Sequence, residues 1–210
     1  MRITYRTAVR NIRKLYAEIP QKDREDSVNW YLRAHNQIDS LRIPAVPQEA
    51  ACHIVAALSP GAKWASNIED FAWLQHIWEN GKLADFKPRT YPAQGKKAIA
   101  IMQAIWSRTE WRDILKGPKE RAFAHNLAYP EAENELTLDF HAYSIACNVR
   151  WTSQSVPKKF RAAERAAIDR AYRTVARENN LKACQLQAIT WEWWRKTRPV
   201  QKAKKGKKAK

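Results

Sequence analysis

One carboxylate in this chain stands where chemistry would need it. Asp139 is preceded by Leu136 and Leu138 and followed by Phe140, Ala142, Tyr143, Ile145 and Ala146. A carboxylate among so many apolar neighbours is expected to be partly desolvated, which makes it available for acid–base or electrostatic work. An acid directly before an apolar helical run is also the pattern of an N-cap, which accepts backbone N–H bonds and needs no further purpose. Both readings stay open on these residues alone. Upstream, Leu115-Lys-Gly-Pro-Lys-Glu-Arg121 reads as a tight Gly-Pro turn opening a short helix.

Other chemistries find little support. His53, His76 and His125 are scattered, and no pair has metal-ligand spacing with a cysteine or a carboxylate. The His-x-Glu and Pro-Cys-x-x-Cys pair of a zinc deaminase does not occur. Nor does a glycine-rich phosphate loop ending in Lys-Ser/Thr. Ser59, Ser66 and Ser144 have no evident His/Asp partners. Cys52, Cys147 and Cys184 are odd in number, widely spaced and set in apolar helical contexts, which fits buried free thiols in a reducing compartment.

The elements that must position Asp139 read as helices throughout. Apolar residues recur at helical spacing over residues 2–18, which end at Pro20, and Asp26-Ser27 is placed to cap a second helix through Trp30 and Ile38. Pro47 opens a helix over 48–58, and Ser66-Asn67 opens one over 67–80. Further helices are predicted at 93–107, 111–115, 122–128, 139–149, 159–178 and 181–196. Ser155–Lys159 reads as a linker. The penultimate helix carries Arg161, Arg165, Arg170, Arg173 and Arg177 opposite its apolar stripe, as a solvated face or a phosphate-facing wall. In the last helix Trp191, Trp193 and Trp194 are too many for one face. No β-alternation and no internal repeat is visible, so the fold class is all-α.

At 210 residues the chain can bury one good core or two small lobes. Its net charge of +17 points to a polyanionic partner. Residues 197–210 hold seven of those charges and no acid, read as a basic disordered tail; removing the seven from +17 leaves +10 on residues 1–196. The body is basic in its own right. The N-terminus lacks the apolar run of a signal peptide, and no apolar span approaches membrane length, so a soluble, cytoplasmic protein is expected.

Taken in order, these segments resemble the helix-hairpin-helix DNA glycosylases of the endonuclease III superfamily (HhH-GPD). Lys116-Gly-Pro-Lys-x-Arg-Ala-Phe123 is similar to the hairpin that presents backbone N–H groups to a DNA phosphate. Leu138-Asp-x-His141 is similar to the segment with the catalytic aspartate. Ala57-Leu-Ser-Pro-Gly-Ala-Lys-Trp64 resembles the helix end and loop that probe the base stack, and Gly95-Lys-Lys-Ala98 resembles a Lys-Ala segment of the family. The likeness covers roughly residues 50–150.

The resemblance implies a two-lobed helical fold with the substrate cleft between lobes. Residues 1–48 and 150–196 would form one lobe, and 49–149 the other, with the hairpin and Asp139. It implies Asp139 as catalytic residue and His141 in a supporting role near it. Gly117, Lys119 and Arg121 would bind phosphate, Lys63, Trp64 and Lys96 would contact DNA, and Ser59 and Gly61 would shape the loop. The partner is double-stranded DNA, bound by a monomer at the nucleoid, with no membrane involved. Lys119 replaces the second hairpin glycine, where the family often holds a monovalent cation; no iron–sulfur loop and no other cofactor is implied. Arg121 stands where bifunctional members have their Schiff-base lysine, so a monofunctional glycosylase acting on a damaged or modified base is expected. Gly61 stands where a glutamine probes the stack, so another side chain has to fill the gap of an extruded base. The alternatives are a non-catalytic DNA-binding or architectural protein, and an enzyme acting on hypermodified thymine.

Overall fold

The computed structural model describes residues 3–132, 135–152, 155 and 160–198. Within them the chain is all-helical, with no strand. The helices are α1 (Tyr5–Glu18), α2 (Gln21–Val28), α3 (Trp30–Leu41), α4 (Gln48–Leu58), α5 (Trp64–Glu79), α6 (Pro92–Trp106), α7 (Pro118–Ala128), α8 (Phe140–Cys147), α9 (Ala162–Glu178) and α10 (Ala183–Thr197). Single 3₁₀ turns at Leu83–Asp85 and Arg112–Ile114 precede α6 and α7. The expected basic tail beyond Arg198, and all of the expected linker except Ser155, lie outside the described residues. No helix among the described residues is long and apolar enough to cross a membrane.

Local chemistry sets most helix starts. Pro92 and Pro118 occupy the first turns of α6 and α7, where a missing N–H costs nothing. Asn148 ends α8 in the left-handed conformation at φ 51°, which asparagine tolerates better than most side chains. Several starts differ from the sequence expectation, α7 among them, which begins at Pro118 and not at 122. Asp26 and Ser27 cap nothing: they lie inside α2, which runs from Gln21 and breaks from α3 at Asn29. Its residues QKDREDSV carry no apolar stripe, so periodicity could not reveal it. Arg24 holds the corner between α1 and α2, donating to the Ile19 carbonyl and the Tyr16 carbonyl, both at 2.9 Å. Helix α5 begins at Trp64, three residues before Asn67, which is therefore a buried side chain within the helix.

Two apolar clusters form the core. The first draws on α3 to α7 around α4, whose residues from Ala50 to Leu58 are all buried. The second packs α1, α8, α9 and α10 around the fully buried Tyr172. The clusters divide the chain elsewhere than at 48/49 and 149/150. Tyr31, Ala34 and Ile38 of α3 belong to the first, and Ala142, Ile145 and Ala146 of α8 to the second. Helix α10 joins them, since its Cys184 and Ala188 pack into the first cluster and its Leu186 and Trp194 into the second. The three cysteines are buried free thiols, and burial pushes the Cys147 thiol up to about 11.

His53 is buried in α4, with Nδ1 2.9 Å from the Glu49 carbonyl and its ring edge-on to Trp111 at 4.8 Å. Burial outweighs the help of that carbonyl and holds the imidazole below its ordinary value of 6.5. The unfolded chain then takes up the proton first, so this contribution to stability is present above the unfolded pKa and is lost as pH falls through it. Urea midpoints of the wild type should drop between about pH 7 and pH 5. His53→Gln, which keeps an N–H donor but cannot titrate, should flatten that decline; an unchanged slope would remove His53 as its source.

Candidate functional site

A cavity of about 470 Å³ opens where the two clusters meet. That is within the roughly 300–1,000 Å³ typical of small-ligand sites. Helix α3 contributes Trp30 and Tyr31, and the turn between α4 and α5 contributes Ser59 to Ala62, followed by Trp64. Tyr91 stands at the start of α6, and α7 contributes Lys119 and Phe123. The remaining wall includes Thr137, Asp139, Phe140 and His141 with Gln187, Trp191 and Arg195 of α10.

Its walls are rigid aromatic planes. Trp30 meets Trp64 at 5.1 Å and Trp191 at 5.4 Å, with interplanar angles of 66° and 80°. Edge-to-face packing of this kind adds to the area buried. Trp64 is also pinned, because its Nε1–H donates to Gln37 Oε1 at 2.8 Å. Beneath them lies a buried polar network. The Tyr31 hydroxyl donates to Gln187 Oε1 at 3.0 Å and lies 3.3 Å from Thr137 Oγ1, which accepts Asn126 Nδ2–H at 3.2 Å. Burial pushes the Tyr31 phenol far above its ordinary range, so the hydroxyl keeps its proton.

Asp139 occupies the N-cap of α8 with extended backbone, and its Oδ1 accepts the Ala142 N–H at 2.8 Å. The cap expected from sequence is therefore present, and the same carboxylate lines the cavity. Among the described residues no other hydrogen bond engages it. The carboxylate is half-buried. His141, the second residue of α8, lies against Phe140 at 3.9 Å with the rings tilted by 34°, and its Nδ1 is buried without a partner. Burial first, and then the charges of Arg195 and Lys119, lower its pKa against the opposing pull of Asp139. It is a neutral imidazole, not a hydrogen-bonded support of the aspartate.

Six of the expected site residues, Asp139, His141, Lys119, Ser59, Gly61 and Trp64, line the cavity. Gly117, Arg121, Lys63 and Lys96 do not. Gly117 caps α7 at φ −73° and ψ 130°, a backbone any residue adopts, so no glycine-specific hairpin conformation occurs there. Its carbonyl already accepts the Arg121 N–H at 2.9 Å, and Lys116 and Lys119 flank it. Lys97, neighbour of the expected Lys96, is the lysine that reaches α7: both Glu120 oxygens lie 2.8 Å from its Nζ. Lys63, Lys96, Lys116 and Arg121 are exposed, Lys119 is half-buried, and among the described residues none of the five forms an ion pair.

Sequence reasoning missed Tyr91, Gln187, Trp191 and Arg195. The last three carry a readable signal, because they stand four residues apart and share one face of α10. Arg195 also lies over the Trp191 ring at 4.7 Å. The arginine face of α9 contributes nothing to the cavity: Arg170 stacks on Tyr5 at 4.2 Å and Arg173 pairs with Asp169 at 2.8 Å.

Fold and site thus define an all-helical protein with one carboxylate in the wall of an aromatic cavity. Residues 1–198 match the profile of a protein family described as of unknown function (DUF7178), and the chain belongs to that family. No curated protein and no solved structure matches it.

The polar network yields a stability prediction. Tyr31→Phe keeps the ring but leaves Gln187 Oε1 without its donor in a buried setting, which should cost about 1–3 kcal/mol. Chemical denaturation measures it, and a loss below about 0.3 kcal/mol would mean that the network does not hold this seam.

Proposed function

We propose that the chain is a monofunctional DNA N-glycosylase, taking a damaged or modified base out of duplex DNA and hydrolysing its N-glycosidic bond. The observation that carries this reading is Asp139, a carboxylate with one hydrogen bond, in the wall of an aromatic cavity beside Lys119 and Arg195. Flat apolar walls suit a planar base removed from its stack. Cations around and beyond the mouth, Lys119 without an ion pair among the described residues and Arg195 beside Glu192, suit the phosphates on either side of it. When the bond from C1′ to the base nitrogen breaks, the electron pair leaves with the base and positive charge develops on the sugar. Asp139 offsets that charge and accepts the proton of the water that adds to C1′, while the departing base is protonated from solvent. No lysine stands at position 121, and arginine stays protonated, so no Schiff-base strand cleavage is expected.

One observation favours a DNA-binding protein without excision: Asp139 Oδ1 is already used as a cap. The substitution Asp139→Asn separates the two. Asparagine caps about as well as aspartate, so stability should change by less than about 0.5 kcal/mol. Release of base from duplexes carrying a panel of modified bases, scored as alkali-labile abasic sites, should fall by roughly 10²–10³ or more. Affinity for the same duplexes should stay level or rise. Full base release by Asp139→Asn refutes the catalytic assignment; binding by the wild type with no abasic sites across the panel hands the site to the binding-only reading.

Lys119→Ala and Arg195→Ala should each weaken binding to every duplex alike and lower the salt slope by about one. Loss confined to one base context would place these side chains against bases instead of phosphates.

A further inference from the structure

Tyr91 is the most exposed large apolar side chain among the described residues, at 61%, and of the five such residues it alone lines the cavity. Its ring rests on Gly61. A Cβ built on that glycine would lie 3.0 Å from Tyr91 Cε2, and Gly61 has φ +81°, so any side chain there would be strained and would displace the ring. The backbone that carries Tyr91 is held on two sides. Asp70 Oδ2 accepts the Arg89 N–H at 2.9 Å, and Pro88 packs so closely on α6 that a Cβ on Gly95 would meet its Cδ at 2.7 Å. Pro92 fixes the next residue at the helix start. Among the described residues nothing hydrogen-bonds the Tyr91 hydroxyl. A flat ring thus projects from a stiff support at the cavity mouth, and the fold makes no other evident use of it.

Taking a base out of a duplex costs a few kcal/mol of stacking, which an aromatic side chain in the vacated position can recover. We infer that Tyr91 enters the base stack at the gap an extruded base leaves, with Gly61 as the platform that lets the ring sit beside the cavity. This rests on the reading that the cavity receives a base. It assigns the gap-filling role to the start of α6, not to the loop after α4, whose Gly61 has no side chain to insert. Exposed Lys63, two residues from the platform, and Lys96, five residues after the ring, are placed to hold the flanking phosphates.

The test needs no knowledge of the substrate base. Affinities are compared for two duplexes of one sequence, one fully paired and one with a single tetrahydrofuran abasic analogue, where the gap already exists. Wild type should prefer the tetrahydrofuran duplex. Tyr91→Ala should cut that preference by about 5- to 100-fold, and Tyr91→Phe should keep it because the ring and not the hydroxyl stacks. A 2-aminopurine next to the gap should lose emission on binding wild type and keep it with Tyr91→Ala. Preference retained in full by Tyr91→Ala overturns the role of Tyr91 alone. Equal binding of both duplexes by the wild type overturns the base-extrusion reading beneath it.

Discussion

The hydroxyl of Tyr31 is the interaction on which the candidate site depends. Tyr31 belongs to the first apolar cluster, yet its partners Gln187 and Thr137 stand on α10 and on the segment leading into α8. Asn126 of α7 extends the same network through Thr137. Four separate segments are thereby tied at one buried point. Unpaired polar groups in that setting would each cost free energy, so the network holds only in one mutual placement of the segments. Three consequences follow in space: Trp30, next to Tyr31, faces Trp191; Asp139 comes two residues after Thr137; and the seam between clusters stays open as a cavity above the network.

Asp139 has a structural role as the cap of α8, and the proposed reading adds a chemical one on the same side chain. A carboxylate has two oxygens and roughly four acceptor sites, and the cap of α8 uses one of them. The cap orients the group and the helix N-terminus favours its negative charge. Fixing the carboxylate in this way removes the reorganisation that a mobile acid would need when positive charge appears beside it. The neutral His141 adds to the same balance. Because burial keeps its charge off, no imidazolium competes for the aspartate, and the positive side chains near it are Lys119 and Arg195.

Much of the fold was legible from the sequence where apolar periodicity and proline agree. Helix α4 was bounded correctly at both ends because Pro47 opens it and an unbroken apolar run fills it. Helix α2 escaped because a helix whose single apolar residue is Val28 leaves no periodic trace. The starts of α5 and α7 were placed late: the first turn of α7 is polar, and in α5 Trp64 and Ala65 precede the Ser66-Asn67 pair that reads as a cap. The site divides in the same way. Asp139, Lys119, Gly61 and Trp64 were marked by local motifs, and those residues line the cavity. The α10 wall was not, because three tryptophans in four residues hide which one turns inward. Packing answers that: Trp194 is buried in the second cluster, Trp193 packs against it, and Trp191 is left for the cavity.

Gly61 sets the geometry of the cavity mouth. From sequence it is a deficit, a position with no side chain where one able to probe the stack was expected. In space it is a requirement, because its positive φ turns the chain from α4 into α5 and its bare Cα admits the Tyr91 ring. A side chain on that loop and an aromatic ring at the start of α6 cannot occupy the same volume. The mouth of the cavity therefore has one solution on each side of an exchange: a loop that carries its own probe, or a bare loop that supports a probe supplied by α6. Gly95, which lets Pro88 close on α6, belongs with the second, since without that close approach the backbone under Tyr91 would lose one of its two anchors.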